Sequence, residues 1–428
     1  MKSFLLCLLI TTVYQINAQI SEKELNKIMQ QLTIEEKALM VVGAGMSLPG
    51  LAESTDAPQA IVGTTKDKVP GAAGTSHKNI KLRFPTVVFA DGPAGIRIDP
   101  KREDFPNQTF YATAFPTATS LASSWNTELV KQVGQAFGRE GKEYGVDFLL
   151  APALNINRNP LGGRNFEYYS EDPVVSGKIA AAFVNGVQVE GIGATIKHFV
   201  ANNSETNRTE LNTVVSERAL REIYLKGFQI ALRESKPWSV MSSYNRINGV
   251  YASENEELLT KILRDEWQFE GFVMTDWYAG KDAAAQMKAG NDLIMPGTNK
   301  NIETIINAVE SGKLDIGILD RNIKYILKQY ANTPSFKHYK PTGRPDLERN
   351  KLIAREAASE GMVLLKNKST LPLKASSKIA LFGVTSFETI SGGTGSGDVN
   401  KAYMVSVTEG LQNAGFQLDE TVNTVYRA

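Results

Sequence analysis

The sequence of 428 residues contains one cysteine, Cys7, and only three histidines and four tryptophans. A single cysteine excludes a disulfide-stapled scaffold, and a chain of this length can bury a large core without cross-links. The spacing of His, Cys, Asp and Glu matches no metal-binding motif, so we expect no metal and no cofactor. The formal net charge is +1, which gives no indication of a nucleic-acid partner or of binding to an anionic membrane surface.

A hydrophobic run long enough to span a bilayer is also lacking, because the apolar stretch Phe4–Thr12 is too short. Lys2 precedes this stretch and the small-residue site Asn17–Ala18 follows it, a pattern that predicts a signal peptide over residues 1–18. Cys7 lies inside that peptide. We therefore expect an exported protein, periplasmic or secreted, with no membrane span; nothing in the sequence indicates its oligomeric state.

The remaining composition, 42% hydrophobic and 22% charged residues, is that of an ordinary globular protein longer than one typical domain. An amphipathic helix pair is predicted over residues 20–40, followed by an irregular Gly-rich loop at 41–73. From Pro85 onward, short apolar runs alternate with helical patterns, which indicates βα units and a parallel sheet. The predicted strands are 86–91, 146–152, 194–198, 238–244, 271–277 and 292–295, and the helices lie at 125–144, from 173, at 216–233, at 254–267 and from about 280 and 301. This pattern favours an α/β fold with a (β/α)8-type, TIM-like barrel over residues 19–332, any further strands being hidden in the N-terminal region or absent.

Residues 333–349 are rich in Pro, Lys and Gly and are predicted to be a linker. Beyond them the sequence predicts a helix at 350–361, strands at 362–366 and 378–383, a glycine loop at 391–398 and a helix at 405–414. Two strands and two helices cannot cover both faces of a parallel sheet. We therefore expect residues 350–428 to be an incomplete, truncated α/β sandwich domain.

Polar side chains stand at the C-terminal ends of successive predicted strands. They are Asp91, Arg158, Lys197, His198, Tyr244 and Asp276. In a barrel these ends converge on one mouth, and such a succession indicates an active site. Carboxylates among cations suit sugars, since hydroxyls take charged hydrogen-bond partners and the apolar face of a sugar ring stacks on an indole such as Trp277.

These features also have structural interpretations. Asp276 could cap the following helix, and Lys197–His198 could be an internal hydrogen-bonded pair. The glycine loop 391–398 could be a flexible connection, or a lid that contacts a ligand. It lacks the Lys-Ser/Thr of a P-loop and the spacing of a dinucleotide fingerprint, so phosphate binding is not expected.

Several segments together resemble glycoside hydrolase family 3. They are Phe89–Arg97, Asn157–Pro160, Gly163–Asp172, Lys197–Phe199, Met241–Asn245, Val273–Trp277 and Ser391–Asp398. Their order and spacing match over nearly the whole chain after residue 18, and the similarity is closest to bacterial β-glucosidases of that family.

The resemblance implies an exo-acting, retaining β-glucosidase that takes β-linked glucosides or oligosaccharides, with Asp276 as a nucleophile that forms a covalent glycosyl-enzyme. The sugar-binding residues that it implies are Asp91, Arg97, Arg158, Lys197, His198, Tyr244, Trp277 and Ser396. Alternatives are a β-xylosidase or broad β-glycosidase, or a sugar-binding remnant without catalysis. The N-acetylglucosaminidase branch carries an Asp-His dyad after its Lys-His strand, and residues 199–208 contain no His.

The resemblance also implies a general acid/base Glu in the second domain, beyond Ala428. Glu388 lies in that domain but matches no acid/base motif. Loss of a general acid typically costs about 10²- to 10⁴-fold in rate. We therefore expect this chain alone to hydrolyse unactivated glucosides poorly.

Overall fold

The computed structural model describes residues 20–45, Ile61 and residues 65–427. The predicted signal peptide, Cys7, and residues 46–60 and 62–64 of the predicted loop 41–73 lie outside the described residues. The strands are β1 (Ala44–Gly45), β2 (Gly74–Thr75), β3 (Val88–Ala90), β4 (Phe148–Leu149), β5 (Gly193–Phe199), β6 (Asn212–Thr213), β7 (Ser239–Ser242), β8 (Arg246–Ile247), β9 (Val250–Tyr251), β10 (Phe272–Thr275), β11 (Lys378–Ile379) and β12 (Gln417–Leu418).

The structure describes fourteen α-helices. They are α1 (Glu22–Gln31), α2 (Ile34–Val41), α3 (Thr65–Lys68), α4 (Ala118–Ser123), α5 (Thr127–Tyr144), α6 (Pro173–Val189), α7 (Glu217–Ala219), α8 (Lys226–Ser235), α9 (Ala283–Ala289), α10 (Asn299–Glu310), α11 (Ile316–Tyr330), α12 (Leu347–Glu360), α13 (Val407–Asn413) and α14 (Glu420–Arg427). The helices predicted over 216–233 and 254–267 contain π-helical segments, Leu220–Tyr224 and Glu257–Glu266. Asp172 caps α6 as predicted, accepting the amides of Val174 and Val175.

The wall of the barrel is a curled sheet with the strand order β1-β2-β3-β4-β5-β7-β10. Parallel bridges from Met274 to Leu293 and from Val42 to Ile294 join its two edges. The Gly43 amide donates to the Ile294 carbonyl across this seam, with an N···O distance of 2.9 Å. Residues 292–295, predicted as a sixth strand, therefore close the ring as bridged residues, and the predicted TIM-like barrel is confirmed.

The irregular loop predicted over 41–73 is wrong at β1, which lies inside it, and β2 follows directly after it, so the N-terminal region supplies two further wall strands. β2 runs antiparallel to both β1 and β3, whereas the other paired wall strands are parallel. Because β2 is reversed, its N-terminal end lies at the same end of the barrel as the C-terminal ends of the parallel strands. There the Ala73 carbonyl accepts a hydrogen bond from the Trp277 indole at 3.2 Å.

Aromatic side chains fill the barrel at the N-terminal ends of its strands. The ring centroid of Phe148 lies 5.4 Å from that of Phe89 and 5.2 Å from that of Phe272. Tyr330, at the end of α11, packs against all three rings. These large buried side chains close one end of the barrel. The opposite end, where β3, β4, β5, β7 and β10 terminate, is the mouth.

The second unit contains α12 to α14 and a parallel two-stranded sheet of β11 and β12. The strand predicted over Met362–Lys366 is wrong, because these residues form no strand and their side chains are exposed, Leu365 to 92%. A strand requires a neighbour for its backbone hydrogen bonds. In the described part of the chain no segment pairs with this apolar run.

Glu140, on α5, ties this second unit to the barrel. Its carboxylate accepts from the Thr113 amide and hydroxyl at 2.9 and 2.7 Å, and from the Asn350 side chain of α12 at 2.8 Å. Burial raises the pKa of Glu140 from 4.5 to about 7, although these hydrogen bonds oppose the shift. The folded state therefore retains a proton that the unfolded chain releases as the pH rises between these two values.

We expect Glu140 to lower the free energy of unfolding by about 3 kcal/mol as the pH rises from 4 to 8. Glu140→Gln should lack this component, because its amide has the shape of the protonated acid and cannot ionise. Denaturant titrations of both proteins at several pH values measure the difference. Glu128→Gln, at an exposed position of the same helix, is the control. Parallel pH curves for wild type and Glu140→Gln would contradict the assignment.

Candidate active site

Five of the predicted site residues, Tyr244 among them, meet at the mouth because parallel strands deliver them there. Asp91 follows β3, Lys197 and His198 end β5, and Asp276 follows β10. The Lys197 ammonium lies 3.4 Å from Asp91 Oδ1, and His198 Nε2 lies 3.6 Å from Asp276 Oδ2. Lys197, His198 and Asp276 are buried, whereas Asp91 is partly exposed.

Asp276 is a buried carboxylate with one unoccupied oxygen. Its Oδ1 accepts the Trp277 amide at 2.8 Å, whereas Oδ2 accepts no hydrogen bond from the described residues. Burial raises the pKa of Asp276, and Arg164 and Lys197 oppose this shift by favouring the charged form. The helix-cap interpretation fails, since Asp282 caps α9 by accepting the amides of Ala284 and Ala285.

Tyr244 lies beside Asp276 at the end of β7. Burial, followed by the charge of Asp276, raises the pKa of the Tyr244 phenol. The guanidinium of Arg208 lies 4.4 Å from the centroid of the Tyr244 ring and is paired with Glu205 at 2.8 Å. Sequence reasoning missed Arg208, which lies on the loop between β5 and β6 and not at a strand end.

His198 is fully buried and held by Asn155, which follows β4. Asn155 Oδ1 lies 2.8 Å from the His198 amide nitrogen and 3.2 Å from the ring Nδ1, and Asn155 Nδ2 donates to the His198 carbonyl at 2.9 Å. Burial lowers the pKa of His198 well below its usual value, and Arg164, Lys197 and Arg208 lower it further. The imidazole is therefore neutral near pH 7.

Arg164 is the cation that the sequence analysis did not select, although it lies in the Gly163–Asp172 segment. Its Nη2 lies 2.8 Å from His198 Nε2, and its Nε donates to Glu167, whose side chain is fully buried. Arg158 is exposed, and its guanidinium donates to the Tyr224 hydroxyl at 3.3 Å. The structure thus corrects the prediction for this loop, because Arg164, not Arg158, reaches His198 and Asp276. We define the Asp276 cluster as Asp91, Arg164, Lys197, His198, Tyr244 and Asp276.

The glycine loop of the second unit reaches the mouth. A Cβ atom added at Gly92 would lie 2.0 Å from the Ser396 carbonyl oxygen, which places Ser396 beside the Asp91–Gly92 turn. A Cβ atom added at Gly393 or at Gly397 would lie 2.6 or 2.5 Å from the ring of Phe166. This packing favours the lid-like interpretation of the loop. Arg97 lines a cavity between the barrel and the same loop, together with Asp398 and Lys401.

We expect Arg164→Ala to lower the free energy of unfolding by about 3–5 kcal/mol, because it leaves the Glu167 carboxylate buried without its cation. Arg158 lies seven positions after Ala151, which is adjacent to β4, and its guanidinium is exposed. Arg158→Ala should therefore lower the free energy of unfolding by less than about 1 kcal/mol. Denaturant unfolding of the two variants measures both values. A double variant, Arg164→Met with Glu167→Leu, should recover much of the loss, and equal costs for the two single variants would contradict the burial argument.

Nowhere in residues 20–45 and 65–427 do three His, Cys, Asp or Glu side chains cluster in a way that could hold a metal ion. No helix in that part of the chain is both long and apolar enough to cross a membrane.

A barrel whose mouth gathers carboxylates, cations and an indole is an arrangement suited to sugars, and comparison with known families agrees with it. The profile described as "Glycosyl hydrolase family 3 N terminal domain" matches residues 102–328. The profile described as "Glycosyl hydrolase family 3 C-terminal domain" matches residues 362–428. The chain belongs to glycosyl hydrolase family 3.

Individual relatives point the same way. Thermostable beta-glucosidase B of Acetivibrio thermocellus is 43% identical over 353 residues, which are 81% of this chain and 46% of the relative. An exo-alpha-(1->6)-L-arabinopyranosidase of Bifidobacterium longum is 39% identical over 352 residues, 78% of this chain and 46% of the relative. The structure of beta-glucosidase 3B from Thermotoga neapolitana in complex with alpha-D-glucose aligns with a TM-score of 0.89 and 54% identity, over 94% of this chain and 56% of that chain. The chain spans about half the length of the curated relatives it matches.

Proposed function

We propose that this chain carries the sugar-binding subsite and the nucleophile of an exo-acting, retaining β-glucosidase. The observation that carries the proposal is Asp276 itself, whose Oδ2 is buried beside cations and accepts no hydrogen bond from the described residues. A carboxylate of this kind keeps a lone pair available for an electrophilic carbon. The glucose complex of the Thermotoga neapolitana relative supports glucose as the sugar that this mouth takes.

In this proposal the Asp276 oxygen attacks the anomeric carbon from the face opposite the leaving group. The C–O bond to the leaving group breaks, and an ester joins Asp276 to the sugar. Water then cleaves that ester and restores the original configuration. Asp91 and Lys197 bind hydroxyl groups of the sugar, since an ion pair of side chains offers both an acceptor and a donor. Trp277, held by the Ala73 carbonyl, provides an apolar surface for the sugar ring.

The general acid of this reaction needs a carboxyl group with a raised pKa. Apart from Asp276, the described carboxyl groups with raised pKa are Glu140, Asp147 and Asp292. Asp147 is bound by Val88 and Ser335, and Asp292 by Arg264. All three are buried in the scaffold away from the Asp276 cluster. Glu388 is exposed. None of these carboxyl groups therefore fits the acid role.

A second candidate is a related β-glycosidase of different sugar preference, such as a β-xylosidase. The relative named as an arabinopyranosidase supports this second candidate, because its name gives a sugar other than glucose. Pocket selectivity between such sugars rests on small differences in contact. Relative values of kcat/KM for aryl glucoside, xyloside and arabinopyranoside separate these possibilities.

Export is proposed on the N-terminal pattern alone, and fractionation of expressing cells tests it.

The experiment that tests the function is covalent labelling. A 2-deoxy-2-fluoro-β-glucoside with a good leaving group should inactivate the protein and add one fluoroglucosyl group. Mass spectrometry of a proteolytic digest should find the group on Asp276. Asp276→Asn should take no label, and a large excess of glucose should slow labelling of the wild type. A label on another carboxylate, or none under conditions that label a known family member, would reject Asp276 as the nucleophile.

A further inference from the structure

We infer that Asn155 is a positioning residue that fixes His198 as the Nδ1–H tautomer, in which Nε2 accepts from Arg164 and directs no N–H at Asp276. The catalytic consequence rests on the proposed nucleophilic role of Asp276, whereas the tautomer itself does not.

The first argument comes from the Nε2 side of the ring. Arg164 Nη2 lies 2.8 Å from His198 Nε2, and a guanidinium has only donors to offer. Nε2 must therefore accept. In a neutral imidazole with an accepting Nε2, the proton resides on Nδ1.

The second argument comes independently from the Nδ1 side. The Asn155 amide is oriented by the backbone of His198, since its Nδ2 donates to the His198 carbonyl at 2.9 Å and its Oδ1 accepts the His198 amide at 2.8 Å. The same Oδ1 lies 3.2 Å from Nδ1. A lone pair on Nδ1 would face the lone pairs of this oxygen, whereas an Nδ1–H donates to it. The Tyr168 hydroxyl, 3.5 Å from Nδ1, donates to the Asn202 carbonyl.

The tautomer of His198 determines whether an N–H or a lone pair of the ring faces the Asp276 carboxylate. Asp276 Oδ2 lies 3.6 Å from Nε2, so the opposite tautomer would aim an N–H at the attacking oxygen. A hydrogen bond there would draw charge from the nucleophile. The charged groups around the ring are Arg164, Lys197, Arg208 and Asp276, and the three cations disfavour the imidazolium form. Asn155 thereby helps to leave Oδ2 without a donor.

Nuclear magnetic resonance can read the tautomer directly, because the protein has only three histidines. The full chain, labelled with ¹⁵N and ¹³C in histidine, should show a neutral ring for His198 that carries its proton on Nδ1 and none on Nε2. His198→Gln assigns that signal by removing it. We expect the signal to stay unchanged across the neutral pH range. An Nε2–H ring or an imidazolium in the wild type would overturn the inference without involving any activity.

Two substitutions separate positioning from mere support. Asn155→Ala removes the acceptor, so the Nε2–H form should appear and labelling of Asp276 by the fluoroglucoside should slow by about 10- to 100-fold, the usual cost of losing a group that orients an imidazole. Asn155→Asp keeps the acceptor and should keep Nδ1 protonated. Asn322→Ala is the matched control, because Asn322 is a buried amide of α11 that donates to the Met287 carbonyl of α9. It should lower stability without changing the His198 signal. If Asn155→Ala leaves both the tautomer and the labelling rate unchanged, Asn155 has only a structural role.

Discussion

Replacing Asp276 with glycine should lower the rate of hydrolysis of aryl β-glucosides by at least about 10⁴-fold, the scale on which the loss of a nucleophile acts in other enzymes. The remaining cluster should persist, because Arg164 keeps its buried partner Glu167 and Lys197 keeps Asp91. Sugar binding should therefore survive the substitution, and the loss should appear in kcat.

The same variant allows a positive test of stereochemistry. Removal of the carboxylate opens space on the face of the sugar from which Asp276 attacks. Azide ions entering that space should restore turnover of a substrate with a good leaving group and yield an α-glucosyl azide, because attack occurs once and inverts. The product is identified by its anomeric coupling constant. Asp91→Ala, which removes a carboxylate from the same mouth, should lose activity without such rescue. A β-glucosyl azide, or activity of Asp276→Gly within tenfold of the wild type, would exclude the proposed role.

A second large effect concerns the leaving group. The rate ratio of 2,4-dinitrophenyl β-glucoside to cellobiose should be about 10²- to 10⁴-fold larger for the 428-residue chain than for other family members. The reason is that an alkoxide leaving group needs a proton, whereas a dinitrophenolate does not. The described carboxyl groups with raised pKa are engaged in the scaffold, Glu140 with Thr113 and Asp292 with Arg264.

This contrast is measured as the ratio of kcat/KM for the two substrates in the chain and in a full-length family member. The Asp276→Gly variant supplies the background for each substrate. Comparable, full-strength rates on both substrates would show that a described residue supplies the proton after all. Burst kinetics with the aryl substrate would show in addition whether breakdown of the glycosyl-enzyme limits turnover.

The barrel was predictable because its parallel strands are buried on both faces and read as continuous apolar runs, as at Phe272–Thr275. The reversed strand β2 was not, since two residues in a Gly-rich region carry no period. The opposite error occurred at Met362–Lys366, where an apolar run predicted a strand that has no neighbour among the described residues. The apolar pattern of a segment indicates which of its side chains can be buried, whereas strand pairing depends on which other segments lie beside it.

The site followed the same division. Asp91, Lys197, His198 and Asp276 were predictable because each ends a strand, and strand ends of a barrel must meet. Arg164 was not, because it arrives from a loop and is aimed by a buried ion pair with Glu167, three residues later in the chain. That pair could have been suspected from the i,i+3 spacing of opposite charges, but nothing in the spacing indicates burial. Asn155 carries no charge and no period, and only its three contacts with His198 reveal its role.

Gly92 has no side chain, and the glycine loop occupies the space that a methyl group would fill there. This one barrel position therefore sets the clearance between the two units. Any larger residue there would occupy the volume of the Ser396 carbonyl and push the loop outward, widening the entrance above Asp91. The position of the glycine loop over the Asp91–Gly92 turn is thus determined partly by the barrel's own sequence.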